Sequence, residues 1–142
     1  MKVLNPDNLR IPTEPAATPC LLGNRCPECG TVVFPKMPIC PSCRRKTAMQ
    51  EIEIGRTAKL YSHTIAYVAP TGFTAPYFQA FVDLPEGPRI FSLVGSACRV
   101  ERGVLEDGMQ MRLIVEPVAD TPERRDELTY KYLPAQLAAG AC

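Results

Sequence analysis

Apolar and polar residues alternate over short runs in this chain, a pattern that predicts β-strands rather than helices. The run 47–54 alternates first, and the run 57–67 is long enough to bend and take part in two sheets. Later strands are expected at residues 77–84, 89–94, 109–117 and 128–133. Five strands between residues 56 and 134, with no helix long enough to cross over, predict a closed Greek-key barrel of the OB type.

Proline is frequent along the whole chain, with 15 prolines against 9 glycines, and this argues against long helices. Residues 1–22 are polar and repeatedly interrupted by proline. They predict an N-terminal arm with at most a short helix around residues 6–10, which lies over its own domain or is ordered by a partner. The alanine-rich residues 135–142 are expected to form a flexible tail.

Four of the seven cysteines form two C-x-x-C pairs, namely Cys26, Cys29, Cys40 and Cys43. Two residues between thiolates allow one tight turn to place both sulfurs about 2.3 Å from the same ion. The spacing predicts one tetrahedral zinc site in a ribbon over residues 23–55. With four sulfur ligands the zinc would be structural, and it would stabilise a segment too small to bury a core of its own.

Other interpretations of the cysteines stay open at this point. An iron site of the rubredoxin kind uses the same four ligands. A disulfide framework fits less well, because the cysteine count is odd and the N-terminus lacks an apolar signal core. The remaining cysteines are Cys20, Cys98 and Cys142, and a nucleophilic cysteine needs a nearby base. The single histidine, His63, is expected to be a strand residue with a hydrogen-bonded ring, so no catalytic residue is predicted.

The composition indicates a globular chain, with 46% apolar and 22% charged residues and a net charge of +1. Such a charge does not steer a nucleic acid or an anionic membrane, and no run approaches the roughly 18 apolar residues of a membrane span. We therefore expect a cytoplasmic protein that does not enter a membrane. A single-stranded nucleic-acid-binding OB module is the alternative from another class, although the basic residues are not interleaved with the aromatic ones.

The order of these features resembles a family in which a rubredoxin-like zinc ribbon precedes an OB-fold. The family was long described as a domain of unknown function and is found beside thiolases and other acyl-CoA enzymes. The resemblance covers residues 20–134, and its motifs are GNRCPECG (23–30), VFP (33–35), CPSC (40–43), GRTAKLYSHT (55–64), GF (72–73), PY (76–77), VG (94–95), GM (108–109) and YKYLP (130–134). The cysteine pairs alone are generic, whereas their combination with the stretch at 55–64 is much more specific.

The resemblance implies a non-catalytic subunit that docks on a catalytic polypeptide in a hetero-oligomer and helps to form the acyl-CoA pocket. The implied partner is a thiolase-like subunit that cleaves an aromatic or sterol-type β-oxoacyl-CoA; an acyl-CoA aldolase or a hot-dog-fold hydratase is the alternative. The chain has little after Pro134, so we expect a stand-alone subunit rather than a fusion fragment. Thiolysis needs a reactive cysteine, histidines and an oxyanion hole, which a chain with one histidine does not supply by itself.

Five residues are candidates for contact with the partner or with a CoA ester. Phe73 and Tyr77 belong to the loop 69–77, which is either a proline-stiffened connection that caps the barrel or an aromatic finger that reaches the acyl group. Arg25, Arg56 and Lys59 are candidate ligands for the CoA phosphates, although each is more simply explained as a solvated surface residue.

Overall fold

The computed structural model describes residues 2–136, so most of the tail predicted at 135–142 lies outside the described residues. The described part consists of ten strands and the loops between them, without a helix. The strands are β1 (Lys2–Val3), β2 (Leu9–Arg10), β3 (Cys20–Arg25), β4 (Val32–Val33), β5 (Gln50–Ile54), β6 (Thr57–Ala66), β7 (Tyr77–Asp83), β8 (Arg89–Leu93), β9 (Gln110–Pro117) and β10 (Glu127–Pro134). The mainly β fold class is confirmed.

The larger sheet closes into the OB barrel that the strand spacing predicts. Its strand order is β1-β10-β9-β6-β7-β8, with β1 parallel to β10 and the other neighbours antiparallel. The barrel closes where Val94, the residue after β8, forms a parallel bridge with Tyr132 of β10. Beside it, the Gly95 N–H donates to the Tyr132 carbonyl at 2.9 Å. This closure places β8 next to β10, and five strands then surround one core.

The long strand β6 bends, as its length suggested. Residues Thr57–Lys59 pair with β9, and the strand pairs with β7 from Lys59 to Ala66. The register with β7 shifts between Leu60 and Ser62. An irregularity of this kind increases the local bend and twist of a strand, and one strand can then contribute to both sides of a small barrel.

The smaller sheet is built around β3 and carries the cysteine-rich ribbon. Strand β5 pairs with β3 along its length, from Leu21–Ile54 to Arg25–Gln50. On the other edge of β3, β2 pairs with the first part of the strand and β4 with the last part. The central strand therefore has partners on both edges, even though two of these partners are only two residues long.

The N-terminal segment is held by strand pairing rather than by helical hydrogen bonds. At most a short helix was expected around residues 6–10, and the described residues there form a turn that leads into β2. The turn is marked by a hydrogen bond from the Asn8 N–H to the Asn5 carbonyl at 2.9 Å. Strands β1 and β2 pair with β10 and β3, so sheet partners that are distant in sequence replace the local hydrogen bonds of a helix.

One hydrophobic core continues from the ribbon sheet into the barrel, where Leu21 and Ile54 join the cluster that contains Tyr132. Gly55 links β5 to β6 with φ of 74°, and its carbonyl accepts the Tyr132 hydroxyl at 2.6 Å. A Cβ at residue 55 would lie 2.7 Å from that hydroxyl oxygen. Both the positive φ and the close approach require glycine at this joint. No helix in residues 2–136 is long and apolar enough to cross a membrane.

Candidate functional site

The four cysteines of the two C-x-x-C pairs converge on one point of the ribbon. Their Sγ atoms all lie within 4.8 Å of one another. The Cys26 and Cys43 sulfurs are 3.7 Å apart, and the Cys29 and Cys40 sulfurs are 3.5 Å apart. Four sulfurs placed tetrahedrally at 2.3 Å from zinc are separated by about 3.8 Å. The donor set and its dimensions therefore fit a closed four-sulfur zinc site.

Each cysteine pair is held by a short turn of its own. In the first, the Gly30 N–H donates to the Cys26 carbonyl at 2.9 Å, and Gly30 has φ of 78°. In the second, the Arg44 N–H donates to the Cys40 carbonyl at 3.0 Å. Arg44 takes the same left-handed conformation with φ of 56°, although it carries a side chain. The glycine could be anticipated from the sequence, whereas the left-handed arginine could not.

Hydrogen-bond donors around two of the four sulfurs, those of Cys29 and Cys40, favour thiolates. The Thr31 hydroxyl, 3.1 Å from the Cys29 sulfur, and then the Thr31 N–H lower the pKa of Cys29 to about 6. The backbone N–H of Cys43, followed by that of Ser42, lowers the pKa of Cys40. Metals bind cysteine as thiolate, so these donors prepare the turns for a soft or borderline cation.

An exposed ion-pair network crosses the ribbon sheet next to this centre. Lys36 Nζ lies 2.8 Å from Glu51, and Arg10 lies 2.6 Å from Glu53. Arg56 also pairs with Glu53. The Lys36 hydrogen bond holds the pKa of Glu51 below its usual value, and the Arg56 hydrogen bond does the same for Glu53. The guanidinium of Arg56, one of the candidate phosphate ligands, is therefore already engaged by a carboxylate.

A second candidate site is a cavity of about 320 Å³ in the barrel. It lies between the loop that joins β6 to β7 and the loop that joins β9 to β10, with residues 93–100 along one side. Phe73 and Tyr77 line it together, and their rings stack with centroids 5.8 Å apart. The structure thus brings together the two predicted aromatic residues. The three basic candidates, Arg25, Arg56 and Lys59, are not among the described residues that line this cavity.

The two loops around the cavity are tied to each other. The Thr121 hydroxyl donates to the Gly72 carbonyl at 2.7 Å. The Arg124 guanidinium lies 5.6 Å from the centroid of the Phe73 ring, within the range of a cation–π contact. Gly72 has φ of 91°, and a Cβ there would come within 3.2 Å of the Arg124 side chain, so both the backbone conformation and the contact favour glycine before Phe73. The aromatic loop is therefore braced against its neighbour.

A buried lysine in the wall of this cavity was not among the residues predicted from the sequence. Lys131 is only 5% exposed, and its Nζ lies 2.8 Å from Glu116 Oε1. Glu116 also accepts hydrogen bonds from the Ser96 N–H at 2.8 Å and the Ser96 hydroxyl at 3.1 Å. The sequence offers little warning, because a lysine between two tyrosines in a strand is most simply predicted to face water.

The outer face of β6, β7 and β8 carries a separate group of aromatic residues, which we call the outer aromatic face: Tyr61, Phe81 and Phe91. They are 51%, 47% and 47% exposed, respectively. The Phe81 and Phe91 rings meet edge to face at 5.8 Å, and the Arg89 guanidinium lies 3.3 Å from the centre of the Tyr61 ring. Exposed aromatic residues gathered on one sheet face are typical of a protein contact surface.

The single histidine has structural partners. His63 Nδ1 lies 2.7 Å from Asp107 Oδ1, and its ring meets Phe78 edge to face at 6.1 Å. The expectation of a strand histidine with a hydrogen-bonded ring is confirmed. Cys20 is buried near Glu53, and burial is the main reason why its pKa is raised. A raised pKa makes a thiol a poorer nucleophile at neutral pH.

Known proteins share both parts of this architecture. A model of the rubredoxin-like zinc ribbon domain of ChsH2 matches residues 13–49, and a model of the ChsH2 C-terminal OB-fold domain matches residues 51–116. A DUF35 domain-containing scaffold protein of Methanocaldococcus jannaschii is 38% identical over 115 residues, which cover 80% of this chain and 79% of that protein. The chain belongs to the DUF35 family.

Other relatives of this DUF35 chain are named as parts of enzymes. The benzoylsuccinyl-CoA thiolase subunit BbsA of Thauera aromatica is 33% identical over 90% of this chain and 85% of its own length. Among solved structures, the Ltp2-ChsH2(DUF35) aldolase superposes with a TM-score of 0.62 at 28% identity. That match covers 82% of this chain and 85% of the other. The family resemblance noted from the sequence motifs is thereby confirmed.

Proposed function

We propose that this chain is a non-catalytic accessory subunit of an acyl-CoA enzyme complex, with a thiolase-like catalytic subunit as its partner. The observation that carries the proposal is the alignment with a thiolase subunit, BbsA, along 90% of this chain and 85% of that subunit. The chemistry of the chain supports it. Thiolysis requires a cysteine nucleophile with histidine assistance, and the one histidine here is hydrogen-bonded to Asp107.

The same proposal assigns zinc to the four-cysteine site of the ribbon. Cys26, Cys29, Cys40 and Cys43 would hold the ion, which when bound cross-links the two turns. A closed set of four protein sulfurs leaves no coordination position for water or substrate, so the role of the ion is structural. The ribbon would in this way keep a defined shape without a core of its own.

Docking would use the barrel, through its outer aromatic face. Because β1 and β2 already pair within the chain's own sheets, the N-terminal segment offers less free backbone than an unattached arm would. Tyr61, Phe81 and Phe91 instead present apolar ring surface, the kind that carries most of the binding energy in protein interfaces. A partner that covers them would also bury the Arg89–Tyr61 contact.

Contact with the acyl-CoA is proposed at two places. Phe73 and Tyr77 would contribute to the acyl pocket from the braced loop. Arg25 and Lys59 are exposed and would reach the phosphates of CoA, whereas Arg56 would first have to leave Glu53. For this reason we expect Arg56 to contribute least among the three basic residues.

Co-expression with a thiolase-like catalytic subunit tests the proposal. We expect the catalytic subunit to be insoluble or poorly active alone, and to regain thiolysis of a β-oxoacyl-CoA when this chain is present. Full activity of the catalytic subunit without this chain would overturn the accessory role. Replacement of Phe81 and Phe91 by serine should abolish copurification, whereas the same change at the exposed ribbon residues Met37 and Ile39 should not.

An aldolase is the second candidate partner, and a specific observation favours it. The superposition with the Ltp2-ChsH2(DUF35) aldolase shows that this fold occurs in an aldolase assembly. The two candidates differ in the bond cleaved and in the co-substrate. A thiolase complex consumes free CoA to cleave its substrate, whereas an aldolase complex releases a ketone or aldehyde without free CoA. Measuring CoA consumption by the reconstituted complex therefore distinguishes them.

A further inference from the structure

The four cysteines of the ribbon site are not equally accessible. Cys26 and Cys40, the first residue of each C-x-x-C pair, are 1% and 0% exposed. Cys43 is half-buried, whereas Cys29 is exposed. The rest of the first turn, residues 27–30, is exposed as well. A reagent that approaches from solvent therefore meets the site on the side of Cys29.

The cysteines outside the site offer no comparable thiol within residues 2–136. Cys20 and Cys98 are 1% and 3% exposed. Cys20 also lies against the Glu53 carboxylate, with 3.5 Å between its sulfur and Oε2. A negative charge at that distance disfavours the thiolate, which is the form of cysteine that reacts with oxidants. Among the cysteines that the structure describes, Cys29 is therefore the one open to attack.

A second sulfur lies in place to react with an oxidised Cys29. The Cys29 and Cys40 sulfurs are 3.5 Å apart, while the Cys26 and Cys43 sulfurs form the other close pair at 3.7 Å. A disulfide forms when a thiolate attacks the oxidised sulfur of a neighbour, so the nearest thiolate is favoured. By this criterion Cys40 is the residue that would pair with Cys29.

We propose that Cys29 is a modification site for hydroperoxides, through which the four-sulfur site is dismantled. The Cys29 thiolate attacks one peroxide oxygen, the O–O bond breaks, and a sulfenic acid forms while hydroxide or alkoxide leaves. The Cys40 thiolate then attacks the Cys29 sulfur, which forms the disulfide and expels hydroxide. The two thiolates lose two electrons in total. The peroxide gains them and, after uptake of two protons, becomes two waters or one water and one alcohol.

This disulfide removes two of the four ligands. Cys26 and Cys43 alone do not complete a tetrahedral set, so the affinity for zinc is lost. Residues 27–50 have little apolar burial, and the ribbon should therefore lose its order while the barrel keeps its core. One exposed sulfur thus couples peroxide to the shape of the whole ribbon, and the coupling is independent of the accessory role.

The experiment treats the zinc-loaded full chain with hydrogen peroxide and follows zinc release with a chromogenic chelator. We expect one zinc per chain to be released as a disulfide forms. Trypsin cleaves after Lys36, so Cys29 and Cys40 fall in different peptides. Mass spectrometry without reduction should show a cross-link between residues 26–36 and 37–44, and its fragment ions should place the bond at Cys29 and Cys40.

Several results would overturn the proposal. These are a disulfide within either peptide, a cross-link between Cys26 and Cys43, and zinc that stays bound after the cysteines are oxidised. Limited alkylation by iodoacetamide checks accessibility separately. Of the six cysteines in residues 2–136, Cys29 should be labelled first, and earlier labelling of another contradicts the assignment. Cys142→Ser is the control for the remaining thiol and should release zinc at the same rate as the parent chain.

The Thr31 hydroxyl provides a graded test of the attacking sulfur. It lies 3.1 Å from the Cys29 sulfur, and a hydrogen bond to a thiolate lowers its nucleophilicity. Thr31→Val should therefore speed the release of zinc by peroxide about fivefold. Thr47→Val is the matched control, because its hydroxyl donates to Glu28 at 3.3 Å rather than to a sulfur, and it should leave the rate unchanged. Equal rates for Thr31→Val and the parent chain would show that another sulfur attacks the peroxide.

Discussion

The ribbon and the barrel of this chain are stabilised by different means. Between residues 27 and 50 the only fully buried residue is Cys40, a member of the four-sulfur site. The barrel, by contrast, buries Leu60, Val82, Met111 and Tyr132 completely in one cluster. Residues 27–50 therefore have little of the apolar burial that supports a fold, although Val32 and Phe34 pack against the edge of the shared core, and the barrel has much more of it.

Because of this difference, different changes should destabilise each region. A segment without a core depends on its metal for order, because the free energy of metal binding serves as its folding free energy. A region with a continuous core depends on side-chain shape and on the conformation of its connections. The joint at Gly55 is where the two regions share one core, through Leu21, Ile54 and Tyr132.

The largest effect is expected from loss of the metal. Metal binding to sites of this type contributes about 10 kcal/mol or more, so Cys40→Ser should disorder residues 26–49 while the barrel stays folded. Hydrogen exchange measured by mass spectrometry should show fast exchange confined to the ribbon. Cys20→Ser, outside the four-sulfur site, is the control and should retain one zinc per chain. A chromophore from iron in the purified protein would contradict the zinc assignment.

The joint should be the next most sensitive position. Gly55→Ala forces a side chain into φ of 74° and places its Cβ 2.7 Å from the Tyr132 hydroxyl oxygen. We expect a loss of about 3 kcal/mol in the free energy of unfolding, measured by denaturant titration. Gly103→Ala separates the two causes, because Gly103 has φ of 84° with open space around it. Its loss should be about 1 kcal/mol, and equal losses would show that the contact with Tyr132 is unimportant.

A smaller loss of stability should follow from removing the Tyr132 hydroxyl, which contacts Gly55. Tyr132→Phe removes the hydrogen bond to the Gly55 carbonyl and should cost about 1–2 kcal/mol, because the carbonyl is left buried. Tyr130→Phe removes a more exposed hydrogen bond, to the Phe91 carbonyl, and should cost about 0.5 kcal/mol. Thermal unfolding of both variants checks that Tyr132→Phe loses more stability than Tyr130→Phe. A larger loss for Tyr130→Phe would show that the joint is loosely packed.

The smallest effect concerns the ion pairs of the ribbon sheet. Lys36 and Arg56 hold the pKa values of Glu51 and Glu53 below the usual 4.5. Their contribution to stability is therefore complete above about pH 4.5 and is lost as the pH falls through the folded pKa values. The double variant Glu51→Gln/Glu53→Gln should melt slightly below the parent at pH 6, and the difference should shrink as the pH falls below about 4.5. A difference in melting temperature that does not depend on pH would show that charge plays no part. Glu14→Gln, at an exposed position, is the control and should leave the melting temperature unchanged.

The local patterns predicted much of this architecture. Alternation predicted the five barrel strands and the long, bent β6 to within a few residues, because a half-buried strand must alternate. The cysteine spacing predicted one four-sulfur cluster, because a C-x-x-C turn places two sulfurs on the same side. In both cases the determining interactions lie within a few residues of each other.

The features that the sequence did not predict involve partners that are distant in sequence. The N-terminal segment was expected to contain at most a short helix, and its pairing through β1 with β10 and through β2 with β3 was not anticipated. Phe73 and Tyr77 were candidates from the sequence, yet the cavity behind them is also lined by the β9–β10 loop, which is tied to theirs through Thr121. No pattern near either residue contains that information.

The sequence by itself therefore determined the strands, the cysteine cluster and the family, since each depends on short-range period or spacing. Only the tertiary structure decided that Lys131 is buried beside the cavity, because its burial depends on Glu116 and Ser96 approaching from other elements. Likewise, only the folded chain shows that Gly55 must be glycine to accommodate Tyr132, a residue far along the chain. Barrel closure joins residues that are distant in sequence, and local propensity does not encode which of them will meet.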